Sequence, residues 1–134
     1  MKLNTIGQLG EDLACRFLED KGFEVVDRNY RKKWGELDIV SRESDGTIRF
    51  VEVKAVSREI VTQDGKDVLR EKELYRPEDQ IHPLKQKRLQ RAIMSYLIKH
   101  KVGEETPWQF DVILVRIDQS SKKVLVEHLE KMML

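Results

Sequence analysis

Residues 35–56 read GELDIVSRESDGTIRFVEVKAV, and the way this stretch pairs with itself decides both the fold and the chemistry open to it. GELDIVSR (35–42) and TIRFVEVKAV (47–56) predict two strands around a turn at Ser44, Asp45 and Gly46. Phe50, Val51, Val53, Ala55 and Val56 predict a buried strand, yet Glu52 and Lys54 lie inside it. Charged side chains are rarely fully buried unless they are paired. A two-residue Asp45-Gly46 turn would set Ile39 opposite Glu52 and turn Asp38 to the other side of the sheet. A three-residue Ser44-Asp45-Gly46 loop, with Gly46 left-handed, sets Asp38 across from Glu52 and Glu36 across from Lys54. Directly opposed side chains lie roughly 5 Å apart at Cβ.

The second register gives the charges a purpose. Two carboxylates that close resist double ionisation. A divalent cation between Asp38 and Glu52 relieves the conflict, and Mg²⁺ takes hard oxygen ligands together with waters. Lys54, on the same face as Glu52, would orient the attacking water or stabilise the developing charge in metal-assisted phosphodiester hydrolysis. The plainer alternative is a cross-strand ion pair between Glu36 and Lys54, with Asp38 closing the turn at Gly35.

Outward from this hairpin, residues 5–21 predict an amphipathic helix. Thr5 followed by Gln8 is a capping-box signature, and Gly22 is placed to end the helix. FEVVDRNY (23–30) predicts a first strand. Residues 57–77 are polar and mixed, and are expected to form a loop or an insertion with at most a short helical piece. A long helix is expected from Pro83, which suits a first helical position. Its expected apolar face is Leu84, Leu89, Ile93, Leu97 and Ile98. WQFDVILVRID (108–118) and KVLVEHL (123–129) predict the last two strands. The order α-β-β-β-α-β-β implies an α/β fold with a sheet between helices.

Composition bounds the rest. The chain has 134 residues, 40% hydrophobic and 37% charged, which suits one domain spanning 1–134. A single cysteine, Cys15, excludes a disulfide framework within the chain, and no zinc-type ligand spacing is present. No apolar run approaches membrane-spanning length and no signal peptide is visible, so a cytoplasmic protein with no membrane partner is expected. Net charge is only +1, but residues 85–101 hold Lys85, Lys87, Arg88, Arg91, Lys99 and Lys101 with no acid. RNYRKK (28–33) adds four more cations. Arg31, Lys32, Lys33, Lys85 and Arg88 are therefore candidate phosphate contacts. A solvated surface is the plain alternative.

The ordered set GQLGEDLACRFLEDKGFEVVDRNYR (7–31), GELDIV (35–40), FVEVK (50–54), HPLKQKRL (82–89) and QFDVILV (109–115) resembles the YraN-type family of small bacterial proteins. That family is similar to the PD-(D/E)xK nucleases of restriction-endonuclease-like fold and to archaeal Holliday-junction resolvases. The resemblance implies an αβββαβ core with a central mixed sheet flanked by helices. It implies a Mg²⁺- or Mn²⁺-dependent endonuclease acting on DNA, branched or otherwise structured, and a homodimer as one assembly. A non-catalytic nucleic-acid-binding module of the same fold is the alternative. Asp38 and Glu52 take the positions of the metal-binding acids, Lys54 that of the motif lysine, and Glu11 that of the first-helix acid; Glu36 joins them as a further catalytic candidate. Leu37 stands where the strict motif has proline, His82-Pro83 where the family has Thr-Pro, and the segment between Lys54 and Lys85 is longer than usual.

Overall fold

The computed structural model describes residues 5–73 and 82–134. Helix α1 (Ile6–Asp20) opens the fold, followed by strands β1 (Glu24–Lys32), β2 (Gly35–Arg42) and β3 (Ile48–Ser57). A small hairpin, β4 (Ile60–Gln63) and β5 (Lys66–Leu69), comes next. Helix α2 (Pro83–Lys99) and strands β6 (Trp108–Asp118) and β7 (Lys123–Leu129) complete the described elements. Five strands form one sheet in the order β1-β2-β3-β6-β7. β3 and β6 run parallel, and the other pairs in this sheet are antiparallel. This is the central mixed sheet that the family resemblance implies.

The helices take opposite faces. Ala14, Cys15 and Leu18 of α1 pack on Ile39, Val51, Ile113, Val115 and Ile117. Leu89, Ala92, Ile93 and Tyr96 of α2 pack on Leu37, Val40, Phe50, Phe110, Val112 and Leu114. Sandwiched between two helices, β3 and β6 carry the long apolar runs of strands covered on both faces. Thr5 caps α1 as expected: its Oγ1 accepts from the Gln8 N–H at 3.1 Å, and its own N–H donates to Gln8 Oε1 at 3.2 Å. His82 caps α2, with Nδ1 accepting from the Leu84 N–H at 3.1 Å and Pro83 in the first turn. Burial on α2 is narrower than its apolar residues suggest. Leu84 and Ile98 are exposed, and Ala92 and Tyr96 take the inward positions instead.

The segment after β3 differs from the loop expected there. β4 and β5 pair across Gln63 and Lys66, which leaves Asp64-Gly65 as a two-residue turn. Both turn residues have positive φ, 51° and 77°. That is the backbone of a type I′ hairpin turn, for which Asp-Gly is a preferred sequence. Ile60 is buried, its N–H donates to Asp118 Oδ2, and Lys123 contacts Asp67, so the hairpin leans on the β6–β7 edge. The part of the expected loop at 74–77 lies outside the described residues.

The turn between β2 and β3 takes the three-residue form. The Glu43 N–H donates to the Thr47 carbonyl and the Gly46 N–H to the Glu43 carbonyl, each at 2.9 Å. Gly46 has φ +94°. Ile39 pairs with Val51 and Arg42 with Ile48, the register that directs Asp38 toward Glu52.

Candidate functional site

The β2–β3 ladder stops at Ile39 and Val51. Continued, it would bring Leu37 opposite Val53. Instead the Val53 N–H donates to the Asp38 side chain, Oδ2, at 2.8 Å. On the other side of β2, Asp38 stands opposite Asn29, and the β1–β2 ladder skips both. Asn29 has φ +54°, a left-handed conformation that asparagine tolerates better than most residues. Leu37 joins the cluster under α2 and Ile39 the cluster under α1, although they are two residues apart. An uninterrupted strand would put both on one face. Asp38 therefore sits where β2 leaves the regular ladder.

Glu52 and Asp38 meet at this point. Burial is the main cause that drives the Asp38 carboxyl up to about 6, and the charge of Glu52 adds to it. The Val53 N–H and Lys85 oppose the rise. Lys85, in the first turn of α2, places Nζ 2.5 Å from Glu52 Oε1. Burial is the largest single influence on the Lys85 ammonium and lowers it, but the bond to and charge of Glu52, with the charges of Asp38 and Glu36, together outweigh it and the net shift is upward. An internal cation thus balances a crowded acidic pair.

Two glycines set this geometry. A Cβ on Gly35 would lie 2.2 Å from the Arg88 carbonyl oxygen, so only glycine lets α2 approach the start of β2 this closely. A Cβ on Gly10 would lie 2.4 Å from the Ala55 Cβ, so α1 rests directly on β3. That contact carries the next residue, Glu11, toward the same end of the sheet. Burial raises the Glu11 carboxyl, and Asp38 raises it further. Glu11 Oε1 is buried without a hydrogen-bond partner, and Arg28 approaches it at 3.8 Å. Glu11 lies beyond the first turn of α1, so a helix-dipole role does not explain it.

Glu36 binds Arg31 at 2.7 Å, and the strands have parted before it can pair with Lys54. Lys54 is exposed and holds no ion pair among the described residues. Lys32, Glu36, Glu52, Lys85 and Arg88 line a cleft of about 220 Å³ beside Gly35. Lys33 is exposed in the β1–β2 turn.

The donor set at Asp38 and Glu52 fits a hard divalent cation. Asp38 engages Oδ2 and Glu52 engages Oε1, which leaves Oδ1 and Oε2 without a protein donor among the described residues. Carboxylate oxygens are what Mg²⁺ and Mn²⁺ prefer.

A second cluster lies at the far end of β3. Asp111, His128 and Glu130 bring three candidate ligand atoms within 4.8 Å of one another. Arg49 fills that space. Its guanidinium binds Asp111 at 2.9 Å, Glu130 at 2.5 Å and Glu43 at 3.2 Å. Lys21 Nζ lies 2.9 Å from His128 Nδ1, and an ammonium can only donate, so Nδ1 accepts. The ring proton is then on Nε2, facing Asp111 at 2.8 Å. Burial raises the Asp111 carboxyl, but His128, Gln109, the Lys131 N–H and Arg49 overcome it and hold the group down to about 2. The cluster is grouped well enough to hold a metal, yet both imidazole nitrogens and the inner carboxylate already have protein partners. No sequence spacing announces it, because its members come from three strands and the chain end.

The sequence profile of the uncharacterised protein family UPF0102 matches residues 10–115. The chain belongs to UPF0102. A UPF0102 protein of Alkaliphilus oremlandii is 35% identical over 127 residues, covering 93% of this chain and 94% of its own. One of Roseiflexus castenholzii is 34% identical over 124 residues, 92% and 89% of the two chains. One of Ralstonia nicotianae is 38% identical over 110 residues, 81% and 75%. The YraN-type resemblance therefore holds as UPF0102 membership. Glu11, Asp38, Glu52, Lys54 and Lys85 fall inside the stretch matched to the UPF0102 profile; His128 and Glu130 fall outside it.

Proposed function

We propose that this UPF0102 protein is a Mg²⁺- or Mn²⁺-dependent endonuclease that hydrolyses DNA phosphodiester bonds, with branched or otherwise structured DNA as substrate. The observation that carries the reading is the meeting of Asp38 and Glu52 where β2 leaves the ladder, with the Asp38 carboxyl driven up to about 6. A crowded acidic pair, with Glu52 lining a cleft beside Lys32, Lys85 and Arg88, suits a site for a divalent cation and a phosphate. Asp38 and Glu52 hold the cation, which supplies Lewis-acid chemistry at the phosphate when bound. Glu11 supports the acidic end of the sheet from α1. Lys54, exposed and free of any ion pair among the described residues, is assigned to hold or pass a proton beside the phosphate. Arg31, Lys32, Lys33, Lys85 and Arg88 position the backbone of the nucleic acid. Glu36 is assigned to orienting Arg31 rather than to the chemistry.

The reading treats residues 1–134 as one nuclease domain working in the cytoplasm. The described residues contain no helix long and apolar enough to cross a membrane. Two copies side by side would offer two clefts to a branched duplex, which sedimentation with and without DNA would test. One observation favours a second reading. Lys85 holds Glu52 at 2.5 Å, a contact that a non-cutting nucleic-acid-binding module of the same fold would keep.

The test is calorimetric titration of Mn²⁺ and Mg²⁺ together with nicking of linear, branched and single-stranded DNA. Wild type should bind the cation and cut at least one substrate. Asp38→Asn should lose metal affinity and activity together. Lys54→Ala should keep the metal and lose about 10²-fold in rate, as removal of a preorganised charge-stabilising group does. Metal and DNA binding without cleavage would leave the binding module; absence of metal binding would remove the nuclease.

A further inference from the structure

The cations of this protein are unevenly matched. Arg28, Arg31, Arg42, Arg58, Arg70 and Arg116 each hold a carboxylate. Lys87, Arg88 and Arg91 on α2 hold none among the described residues, and α2 contains no acidic residue at all. Lys33 in the β1–β2 turn is equally unmatched and exposed. Beside these charges stands Trp34, 42% exposed, with no aromatic or cation contact to its ring among the described residues. The other tryptophan, Trp108, packs edge-on to Phe50 at 5.7 Å.

Trp34, Lys87, Arg91, Met94 and Ile98 line one shallow groove of about 460 Å³. It adjoins the cleft that contains Glu52. Lys32 and Gly35, on either side of Trp34 in sequence, line that cleft, as does Arg88, between Lys87 and Arg91. A flat apolar ring bordered by unmatched cations, with no acid on the neighbouring helix, suits a polyanion that also presents aromatic faces. A duplex keeps its base faces stacked on each other, so the ring is useful only to an unpaired base.

We infer that Trp34 is a stacking platform for an unpaired nucleotide, with Lys87 and Arg91 holding the phosphates on either side of it. The inference rests on the nucleic-acid part of the function proposed above, and it narrows the ligand to single-stranded DNA or the unpaired stretch of a branched one. An apolar segment of a protein partner or a second copy of the chain is a competing occupant. The absence of acids on α2 and the adjoining cleft favour the nucleotide.

The experiment follows Trp34 fluorescence in full-length Trp108→Phe protein, where Trp34 is the remaining indole. Single-stranded oligothymidine and a matched duplex are titrated in EDTA, so that cleavage plays no part. Anisotropy of labelled DNA is measured in parallel with Trp34→Ala and Trp34→Phe in the otherwise unchanged chain. The expected result is quenching by the single strand. Trp34→Ala should weaken single-strand binding by about tenfold or more, Trp34→Phe by much less, and duplex binding should change little. Single-strand binding without quenching, and with unchanged affinity in Trp34→Ala, would overturn the platform and leave the nucleic-acid reading intact. No binding of either DNA by wild type would overturn both. Quenching that follows protein concentration without DNA would give the surface to a second copy and overturn the platform.

Discussion

At Asp38, burial and the charge of Glu52 act in the same direction. The carboxyl in the folded protein titrates near 6, above its ordinary value of 3.8. Between those values the folded protein holds a proton that the unfolded chain has released. Stability contributed by this residue is therefore lost as pH rises through that window; the cost is absent near pH 4 and complete above pH 6. Its full size is roughly 3 kcal/mol. Asp38→Asn removes the ionisation while its amide oxygen still accepts from the Val53 N–H. In EDTA the variant should match wild type near pH 4 and exceed it by up to about 3 kcal/mol at pH 7, read by urea denaturation across that range. Lower stability of Asp38→Asn at pH 7 would make the carboxylate a structural group and remove it as a strained cation ligand.

At the level of elements, the acidic pair depends on how α2 rests on the start of β2. Gly35→Ala would place a methyl group 2.2 Å from the Arg88 carbonyl oxygen, which α2 can relieve only by moving. Overpacking of this kind costs about 1–3 kcal/mol. The shift should also pull Lys85 from Glu52, so the variant should melt lower and lose DNA affinity together. Full DNA affinity in a destabilised Gly35→Ala protein would separate α2 packing from the cleft. The elements themselves were largely legible: periodicity and caps place β2, β6 and β7 and the start of α2, because glycine, proline and polar turn residues bound them. Three features were not. Leu84 and Ile98 have helical spacing but extend past the part of α2 that the sheet covers. The β4–β5 hairpin hides in a polar segment, where Asp64-Gly65 was the available signal. The opposite faces of Leu37 and Ile39 break strict alternation, since no residue type marks where a strand leaves its ladder. The Asp38–Glu52 approach was legible through the turn length, whereas the Lys85–Glu52 contact was not, because it joins an element distant in sequence.

Across the whole molecule, β3 links two charged centres of opposite character. At one end, Arg49 is enclosed by Glu43, Asp111 and Glu130, with Asp111 completely buried. Asp111→Ala strips His128 and Arg49 of their inner partner and should cost about 3 kcal/mol or more, a loss that denaturant titration would detect; a cost under 1 kcal/mol would mean that Glu43 and Glu130 suffice. At the other end Lys85 and Arg31 hold Glu52 and Glu36, but Lys33, Lys87, Arg88 and Arg91 hold no carboxylate among the described residues, and that contrast gives the last prediction. A net charge of +1 would suggest weak attraction to a polyanion, but most arginines away from α2 are neutralised by neighbouring carboxylates. Lys87, Arg88 and Arg91 on α2, with Lys33 in the β1–β2 turn, then form a group of unmatched cations open to a ligand. Each phosphate neutralised contributes about 0.9 to the slope of log affinity against log salt on duplex DNA and about 0.7 on a single strand. Replacing Lys87, Arg88 and Arg91 together by glutamine should therefore flatten the slope by roughly 2 to 3 units. Stability should hardly move, because none of the three holds a carboxylate among the described residues. Arg42→Gln, which removes a cation already matched by Glu24 at 3.0 Å, serves as the control and should leave the slope unchanged. Equal slopes for the triple variant and wild type would reduce α2 to a solvated face and take the nucleic acid away from the cleft beside it.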